Sequence, residues 1–178
     1  RPRTLAAPLL KRVGANFSAD TPVSTLSLAQ QQMVEIAKAL SIEARLVILD
    51  EPTSSLPLAE TDKLLDVIRA LKAEGISVIF ISHRLHEVER VADRVVVLRD
   101  ALSAKAIRTS AYPDRPVDLG VRQGEILGLA GLVGSGRTEL ARVLFGIATS
   151  LGGALQLDGK DLVLGSAADA VANGIFLV

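Results

Sequence analysis

The chain has 178 residues, 49% of them apolar, and its 20 Lys and Arg residues balance its 20 Asp and Glu residues. This length suits one ordinary domain or two incomplete ones, and the neutral charge argues against the basic face that nucleic-acid binding requires. The absence of cysteine excludes disulfides and thiolate zinc sites, no apolar run approaches the about 20 residues of a membrane helix, and the basic N-terminal stretch does not match a signal peptide.

The first hundred residues alternate between predicted helices and predicted strands. Apolar residues recur at the spacing of one helix face in three segments: 31–40, 58–74 and 86–92. Continuous apolar runs, typical of parallel strands that are covered on both faces, occupy three others: 46–49, 76–81 and 94–98. This alternation predicts an α/β fold with helical crossovers.

Residues 101–120 interrupt the alternation. They mix small, charged and proline residues without periodicity, so we interpret them as a linker. A second α/β unit follows, with five predicted elements: a strand over 125–130, a helix over 137–145, a hairpin over 152–164, a helix over 166–174 and a strand over 175–178. Because the chain ends as this last strand forms, we expect the second unit to be truncated.

Two carboxylates follow the strand at 46–49. Asp50 and Glu51 would stand at the carboxyl edge of a parallel sheet, where ligands bind in open α/β folds. In a nucleotide hydrolase, Asp50 would hold Mg²⁺ and Glu51 would orient or deprotonate the attacking water. The alternative is a polar turn that merely ends a strand, and the following "PTSSL" makes this alternative less favourable.

His83 follows the strand at 76–81, where it could contact a γ-phosphate; the alternative is an ordinary surface histidine. A zinc site with His86 is disfavoured by the spacing. Ser27 and Gln30 begin the first helix, whose N-terminus could attract phosphate, although Ser-x-x-Gln is also a common capping box.

The stretch "GLVGSGRT" (131–138) nearly matches the phosphate-loop pattern G-x-x-x-x-G-K-[ST]. Its glycines would let backbone N–H groups surround phosphate oxygens, and Thr138 would bind Mg²⁺. Arg137 replaces the lysine; its bulkier, planar guanidinium predicts weakened nucleotide binding and poor hydrolysis. We assign nucleotide binding to the loop and the first helical turn: Gly131, Gly134, Ser135, Gly136, Arg137, Thr138 and Glu139.

Together these segments resemble an ATP-binding-cassette (ABC) ATPase. "LSLAQ" is similar to the signature motif, "LVILDE" to Walker B, "SSL" to the D-loop, "GLVGSGRT" to Walker A and His83 to the switch histidine. The longer strings "LSLAQQQMVEIAKALS", "ILDEPTSSL" and "GLAGLVGSGRTELARVLFG" resemble the two-cassette ATPases of bacterial monosaccharide importers. Two departures stand out: Leu28 and Ala29 replace the signature glycines, and Pro57 replaces the D-loop aspartate.

The order of the motifs implies two cassettes in tandem, because Walker A precedes Walker B within one cassette and here Asp50 precedes Gly131. We expect residues 1–100 to be the back part of a first cassette, 101–117 a linker and 118–178 the front part of a second. The chain would then be a fragment, or would lack a segment near 100–118. Cassette pairing would place Ser27 and Gln30 opposite Arg137 and Thr138. Glu51 and His83 would serve another site, whose phosphate loop is not in this chain.

The resemblance implies a P-loop NTPase fold, ATP and Mg²⁺ as ligands, and a role as the ATPase subunit that powers monosaccharide uptake. Implied partners are membrane-spanning permease subunits and, indirectly, a periplasmic or lipoprotein sugar-binding protein, with a homodimer left open and no nucleic acid. The subunit would lie peripherally on the cytoplasmic face of the inner membrane. The alternatives are a nucleotide switch without useful turnover and an ABC protein that acts on nucleic acid. By itself the chain should show almost no ATPase activity.

Overall fold

A computed structural model describes residues 2–98, 107–109, 112–132 and 134–178. The helices are α1 (Pro2–Arg12), α2 (Leu28–Ser41), α3 (Leu58–Ala73), α4 (Leu85–Val91), α5 (Arg137–Leu144) and α6 (Ala167–Ala172), with a 3-10 turn at Val23–Thr25. The strands are β1 (Leu46–Asp50), β2 (Ser77–Ile81), β3 (Arg94–Leu98), β4 (Ile107–Thr109), β5 (Tyr112–Val117), β6 (Ile126–Gly131), β7 (Leu155–Leu157), β8 (Lys160–Leu162) and β9 (Ile175–Leu177).

Five parallel strands form the central sheet, in the order β3-β6-β2-β1-β9. Strand β6 therefore lies between β2 and β3, although it follows both in the chain. In its register Phe80 of β2 pairs with Gly128, and Val95 of β3 pairs with Gly128 on the other side. The predicted α/β fold with a parallel sheet is confirmed, and both halves of the chain contribute strands to the same sheet.

Polar side chains fix the start of β6 against β3. The backbone N–H of Asp93 donates to the carbonyl of Ile126 over 2.8 Å, and the backbone N–H of Ile126 donates back to the Asp93 carboxylate over 2.9 Å. The Arg94 guanidinium pairs with the Glu125 carboxylate over 2.8 Å. These reciprocal bonds set the register in which β6 enters the sheet.

Each face of the sheet is buried by its own set of helices. Alternating residues of β1 and β2 point to opposite faces, as the two-residue period of a strand requires. Val47, Leu49 and Phe80 belong to the core that includes residues of α1–α4. Ile48 and Ile79 belong to the core that includes residues of α5 and α6. The site therefore lies at the edge of a sheet whose central strands β1, β2 and β6 are almost entirely buried.

Three features differ from the sequence-based expectations. Strand β3 is an edge strand, so Val95 and Val97 are 42% and 61% exposed and its predicted burial on both faces is wrong. Within the predicted linker, β4 and β5 pair as antiparallel strands. Helix α1 was not predicted. The expected missing segment near 100–118 falls partly on residues outside the described ranges, and the division into two partial cassettes stays a prediction.

Candidate functional site

Three adjacent strands deliver the candidate residues to one edge of the sheet. Strand β1 ends at Asp50, β2 ends just before Ser82 and His83, and β6 ends at Gly131. Because β6, β2 and β1 are neighbours and parallel, their carboxyl ends meet at the same crevice. The sequence order of the motifs does not prevent this meeting, since parallel strands joined by long connections can occupy any slot in a sheet.

The crevice encloses a pocket of about 370 Å³. Its walls come from the loops after β1, β2 and β6: Glu51, Ser54, His83, Gly134, Ser135, Gly136, Arg137, Thr138 and Glu139. Every residue of this list except Ser54 was named as a candidate site residue from the sequence, and Ser54 lies in the string "SSL" that is similar to the D-loop. The phosphate-loop residues and the catalytic candidates Glu51 and His83 thus line a single pocket, whereas the sequence predicted two separate sites.

The loop after β6 has the backbone that a phosphate site needs. Gly136 caps α5 with a φ of 77°, a left-handed conformation that favours glycine. At Gly131, an added Cβ would lie 2.7 Å from the Leu98 carbonyl oxygen and 2.6 Å from the Ser135 hydroxyl. Helix α5 starts directly after this turn without a side-chain cap, so its first N–H groups are available to an anion.

Two buried polar atoms beside the loop have no hydrogen-bond partner: Ser135 Oγ and Arg137 Nη1. The Arg137 residue is only 7% exposed. A buried donor without an acceptor costs free energy, and the deficit is larger for a charged guanidinium. Phosphate oxygens in the adjacent pocket would supply the acceptors, so these atoms fit a nucleotide.

Asp50 and Thr138 form the candidate metal pair. The Thr138 hydroxyl donates to the Asp50 carboxylate over 3.3 Å. Burial raises the pKa of Asp50; the bond from Thr138 opposes this rise, the Glu51 charge adds to it, and Arg137 and Arg142 oppose it. In the described part of the chain no three acidic or histidine side chains cluster to hold a metal. Mg²⁺ commonly binds through one or two protein oxygens together with substrate phosphates, and Asp50 and Thr138 offer two such oxygens.

Glu51 bridges a histidine and an arginine. One carboxylate oxygen lies 2.7 Å from His83 Nδ1, and the other lies 3.2 Å from Arg137 Nη2. The Glu51 backbone adopts a φ of 53°, an uncommon value for a residue other than glycine and one often seen at functional sites. The Glu51 carboxylate thus contacts the groups that are expected to bind phosphate and to report its presence.

Comparison with known proteins agrees with this geometry. A family model described as ABC transporter matches residues 3–54. The chain is 42% identical to ribose import ATP-binding protein RbsA 3 of Rubrobacter xylanophilus, over 96% of the chain and 42% of the relative. It is 38% identical to ribose import ATP-binding protein RbsA of Lacticaseibacillus paracasei, over 97% of the chain and 42% of the relative.

The chain belongs to the ABC transporter family. It spans about two fifths of the length of the curated relatives that it matches. A further relative, ribose import ATP-binding protein RbsA 2 of Rubrobacter xylanophilus, is 38% identical over 217 positions that cover all 178 residues. At least 39 of these positions (217 − 178) therefore have no counterpart in the chain. Among the described helices, none is both long and apolar enough to cross a membrane.

The ABC signature residues lie away from this pocket. Ser27 accepts a hydrogen bond from the Gln30 backbone and Gln30 Oε1 accepts one from the Ser27 backbone, which completes a capping box at the start of α2. Ser27 Oγ also donates to Glu60 over 3.4 Å, and Gln30 Nε2 donates to Asn16 over 3.3 Å. Within this chain Ser27 and Gln30 therefore do not face Arg137 and Thr138, because Ser27 bonds to Glu60 of α3 and Gln30 bonds to Asn16. Their pairing across two cassettes stays a prediction.

Sequence reasoning missed a polar cluster behind the Walker B and switch loops. Glu87 is 1% exposed and bonds to Thr53, Ser82 and Arg84. A glutamate on a short helix is ordinarily solvated, so no local pattern distinguished it. The only available signal was the number of hydroxyl and charged residues immediately after two predicted strands.

Proposed function

We propose that the chain binds ATP with Mg²⁺ in this pocket and is part of an ATP-hydrolysing subunit that drives the uptake of a monosaccharide. The convergence of Walker A and Walker B carries the proposal: the Thr138 hydroxyl meets the Asp50 carboxylate at 3.3 Å. The unpartnered Ser135 and Arg137 atoms beside this pair support a phosphate-bearing ligand.

Each side chain has a distinct task in this proposal. The N–H groups at the start of α5 and the Arg137 guanidinium hold phosphate oxygens. Asp50 and Thr138 would hold Mg²⁺, which neutralises charge on the phosphates when bound. Glu51 accepts a proton from the attacking water, and His83, which bonds to the other side of Glu51, orients that carboxylate toward the pocket.

The transport role rests on the relatives rather than on the site. Proteins named as ribose import ATP-binding proteins align with nearly the whole chain in a single order of segments, which supports a tandem of cassettes that meets here. We propose membrane-spanning permease subunits and, through them, a periplasmic or lipoprotein sugar-binding protein as partners. The proposed location is peripheral, on the cytoplasmic face of the inner membrane, and a homodimer is a further proposed state.

One contact favours a second candidate, a nucleotide-gated switch without useful turnover. The Arg137–Glu51 ion pair, at 3.2 Å, neutralises the carboxylate that would serve as the base. While this pair persists, the Glu51 oxygen that contacts Arg137 is not available to a water molecule. Nucleotide would then bind and change the loop without being hydrolysed.

Calorimetric titration of the purified chain with ATP, with Mg²⁺ and with EDTA, tests the binding proposal. We expect one site per chain and tighter binding when Mg²⁺ is present. Gly131→Val, which would force a side chain against Leu98 and Ser135, should abolish binding. Failure to bind ATP at millimolar concentration would overturn the proposal. Phosphate release is then measured for the chain and for a longer relative such as RbsA 3 of Rubrobacter xylanophilus. Release of phosphate supports the hydrolytic subunit, and nucleotide binding without release supports the switch.

A further inference from the structure

The buried carboxylate of Glu87 lies behind the candidate catalytic groups. It belongs to α4, which follows the switch-histidine loop, and it is 1% exposed. It does not line the pocket, so it contacts neither nucleotide nor metal there. Burying a carboxylate costs free energy unless hydrogen bonds satisfy it, so the partners of Glu87 decide what it can do.

The partners of Glu87 come from two different loops. Thr53, in the loop that carries Glu51, donates its hydroxyl to Glu87 Oε2. Ser82, adjacent to His83, donates its hydroxyl to the same oxygen over 3.4 Å. One carboxylate oxygen thus receives a donor from the loop after β1 and another from the loop after β2.

Arg84 reinforces this connection. Its Nη1 donates to Glu87 Oε1 over 3.2 Å, and its Nη2 donates to the Ser54 carbonyl over 3.1 Å. Its backbone N–H donates to Ser82 Oγ over 3.0 Å. The cluster of Thr53, Ser82, Arg84 and Glu87 therefore joins the two loops through mutually supporting bonds, of which those from Thr53 and Ser82 to Glu87 are buried.

We infer that Glu87 is a positioning residue that, by tying the two loops together, fixes Glu51 and His83 in mutual contact. The contact in question is the 2.7 Å bond between His83 Nδ1 and Glu51 Oε2. Because a carboxylate accepts and cannot donate, the contact requires the proton on Nδ1 of a neutral His83. The role of Glu87 in hydrolysis rests on the proposed function, whereas the contact between His83 and Glu51 can be measured without nucleotide.

The histidine tautomer supplies a readout that loss of stability alone does not change. The chain contains only two histidines, so ring ¹⁵N shifts of the labelled chain are assigned with one His86→Gln variant. At a pH at which the ring ¹⁵N shifts themselves show a neutral imidazole, we expect His83 of the wild type to carry its proton on Nδ1. A His83 that carries it on Nε2, the tautomer favoured by a free histidine side chain, would overturn the inference.

Thr53 offers a matched pair of variants because it is fully buried. Thr53→Val keeps the volume and removes the hydroxyl, while Thr53→Ser keeps the hydroxyl and removes a methyl group. We expect Thr53→Val and Glu87→Gln to shift His83 toward the Nε2 proton, and Thr53→Ser to retain the wild-type tautomer. An unchanged tautomer in folded Thr53→Val and Glu87→Gln would show that Glu87 has a structural role only. If either variant fails to fold, Ser82→Ala takes its place.

Kinetics connect the contact to hydrolysis. In a longer relative such as RbsA 3 of Rubrobacter xylanophilus, we expect the substitution equivalent to Thr53→Val to lower kcat about tenfold, as for a misplaced catalytic group. ATP affinity should change less than about twofold, because the cluster lies outside the pocket. Equal loss of affinity and kcat would contradict positioning. Absence of ATP binding in the wild type would defeat the proposed function but leave the tautomer result intact.

Discussion

The Thr138 hydroxyl donates a hydrogen bond to the Asp50 carboxylate over 3.3 Å, although 88 positions separate the two residues. The bond exists because β6 occupies the slot between β2 and β3, so that its phosphate loop reaches the end of β1 across β2. In this structure the loop after β6 therefore reaches the carboxylate at the end of β1, although it follows that strand in the chain.

Gly128 tests the position of β6. A Cβ added there would lie 2.3 Å from Val88 Cγ1 of α4 and 3.0 Å from Ala92 Cβ. Gly128→Ala should lower the free energy of unfolding by about 1–3 kcal/mol through overpacking, measured by denaturant titration. Gly120→Ala is the control: a Cβ there meets nothing within 4 Å, and a change below about 0.5 kcal/mol is expected. Equal stability of the two variants would contradict the placement of β6 against α4.

Asp93 should make stability depend on acid pH. Its pKa is lowered by the hydrogen bond from Lys72 and by that from the Ile126 backbone. The folded protein therefore binds fewer protons than the unfolded one, and the free energy of unfolding falls as pH drops from 3.8 through the folded value. Asp93→Asn, which keeps an acceptor for Ile126, should cost no more than about 1 kcal/mol near neutrality, and the difference should vanish in strong acid. Denaturant titrations of the wild type and of Asp93→Asn at several pH values measure the two free energies of unfolding. A difference between them that persists in strong acid would exclude the Lys72 ion pair as its source.

Much of the fold was predictable because its signals are local. Apolar runs marked the four main strands, and the helix periods placed α2, α3 and α5 to within a few residues. The rule that parallel strands present their carboxyl ends to one crevice then assigned Asp50, His83 and Gly131 to functional positions. None of these steps required knowledge of which strands are neighbours.

The remaining features depend on which strands are neighbours in the sheet, and the order of motifs along the chain does not reveal this. The order of motifs suggested separate sites for Glu51 and Arg137, yet their side chains lie 3.2 Å apart, because strand pairing is set by long-range packing. The exposure of Val97 follows from the edge position of β3, which its apolar run does not reveal. Glu87 became significant only when its three partners converged on it from different segments.

Mg²⁺ binding should depend jointly on Asp50 and Thr138. Thr138→Val and Asp50→Asn are each expected to remove the Mg²⁺-dependent gain in ATP affinity, a loss of about tenfold or about 1.4 kcal/mol. The double variant should lose little more, since both side chains serve one ion. Calorimetric titration with and without Mg²⁺ measures the gain. Thr25→Val is the control, because the Thr25 hydroxyl bonds only locally to the Pro22 carbonyl, and this variant should keep the Mg²⁺-dependent gain in ATP affinity. Additive losses in the Asp50 and Thr138 variants would argue that the two side chains have separate roles.

Arg137 sets the strength of the site through its engagement with Glu51. Its Nη2 is held by Glu51 at 3.2 Å while its Nη1 has no partner, so an incoming phosphate competes with the carboxylate for the same guanidinium. Arg137→Lys replaces the planar fork with a compact ammonium on a slimmer stem, which can reach phosphate and release Glu51. We expect ATP affinity to rise about fivefold, or about 1 kcal/mol, in calorimetric titrations.

Arg142→Lys provides the control for this substitution, because Arg142 affects the Asp50 charge but does not line the pocket; its ATP affinity should stay within about twofold of wild type. In an intact sugar-import ATPase that contains this segment, Arg137→Lys should leave sugar uptake largely intact if this site is regulatory. A large gain in ATP hydrolysis would instead mean that the Arg137–Glu51 pair had restrained a competent site. Weaker ATP binding by Arg137→Lys would contradict the competition itself, since the guanidinium would then be the better phosphate ligand despite its bond to Glu51.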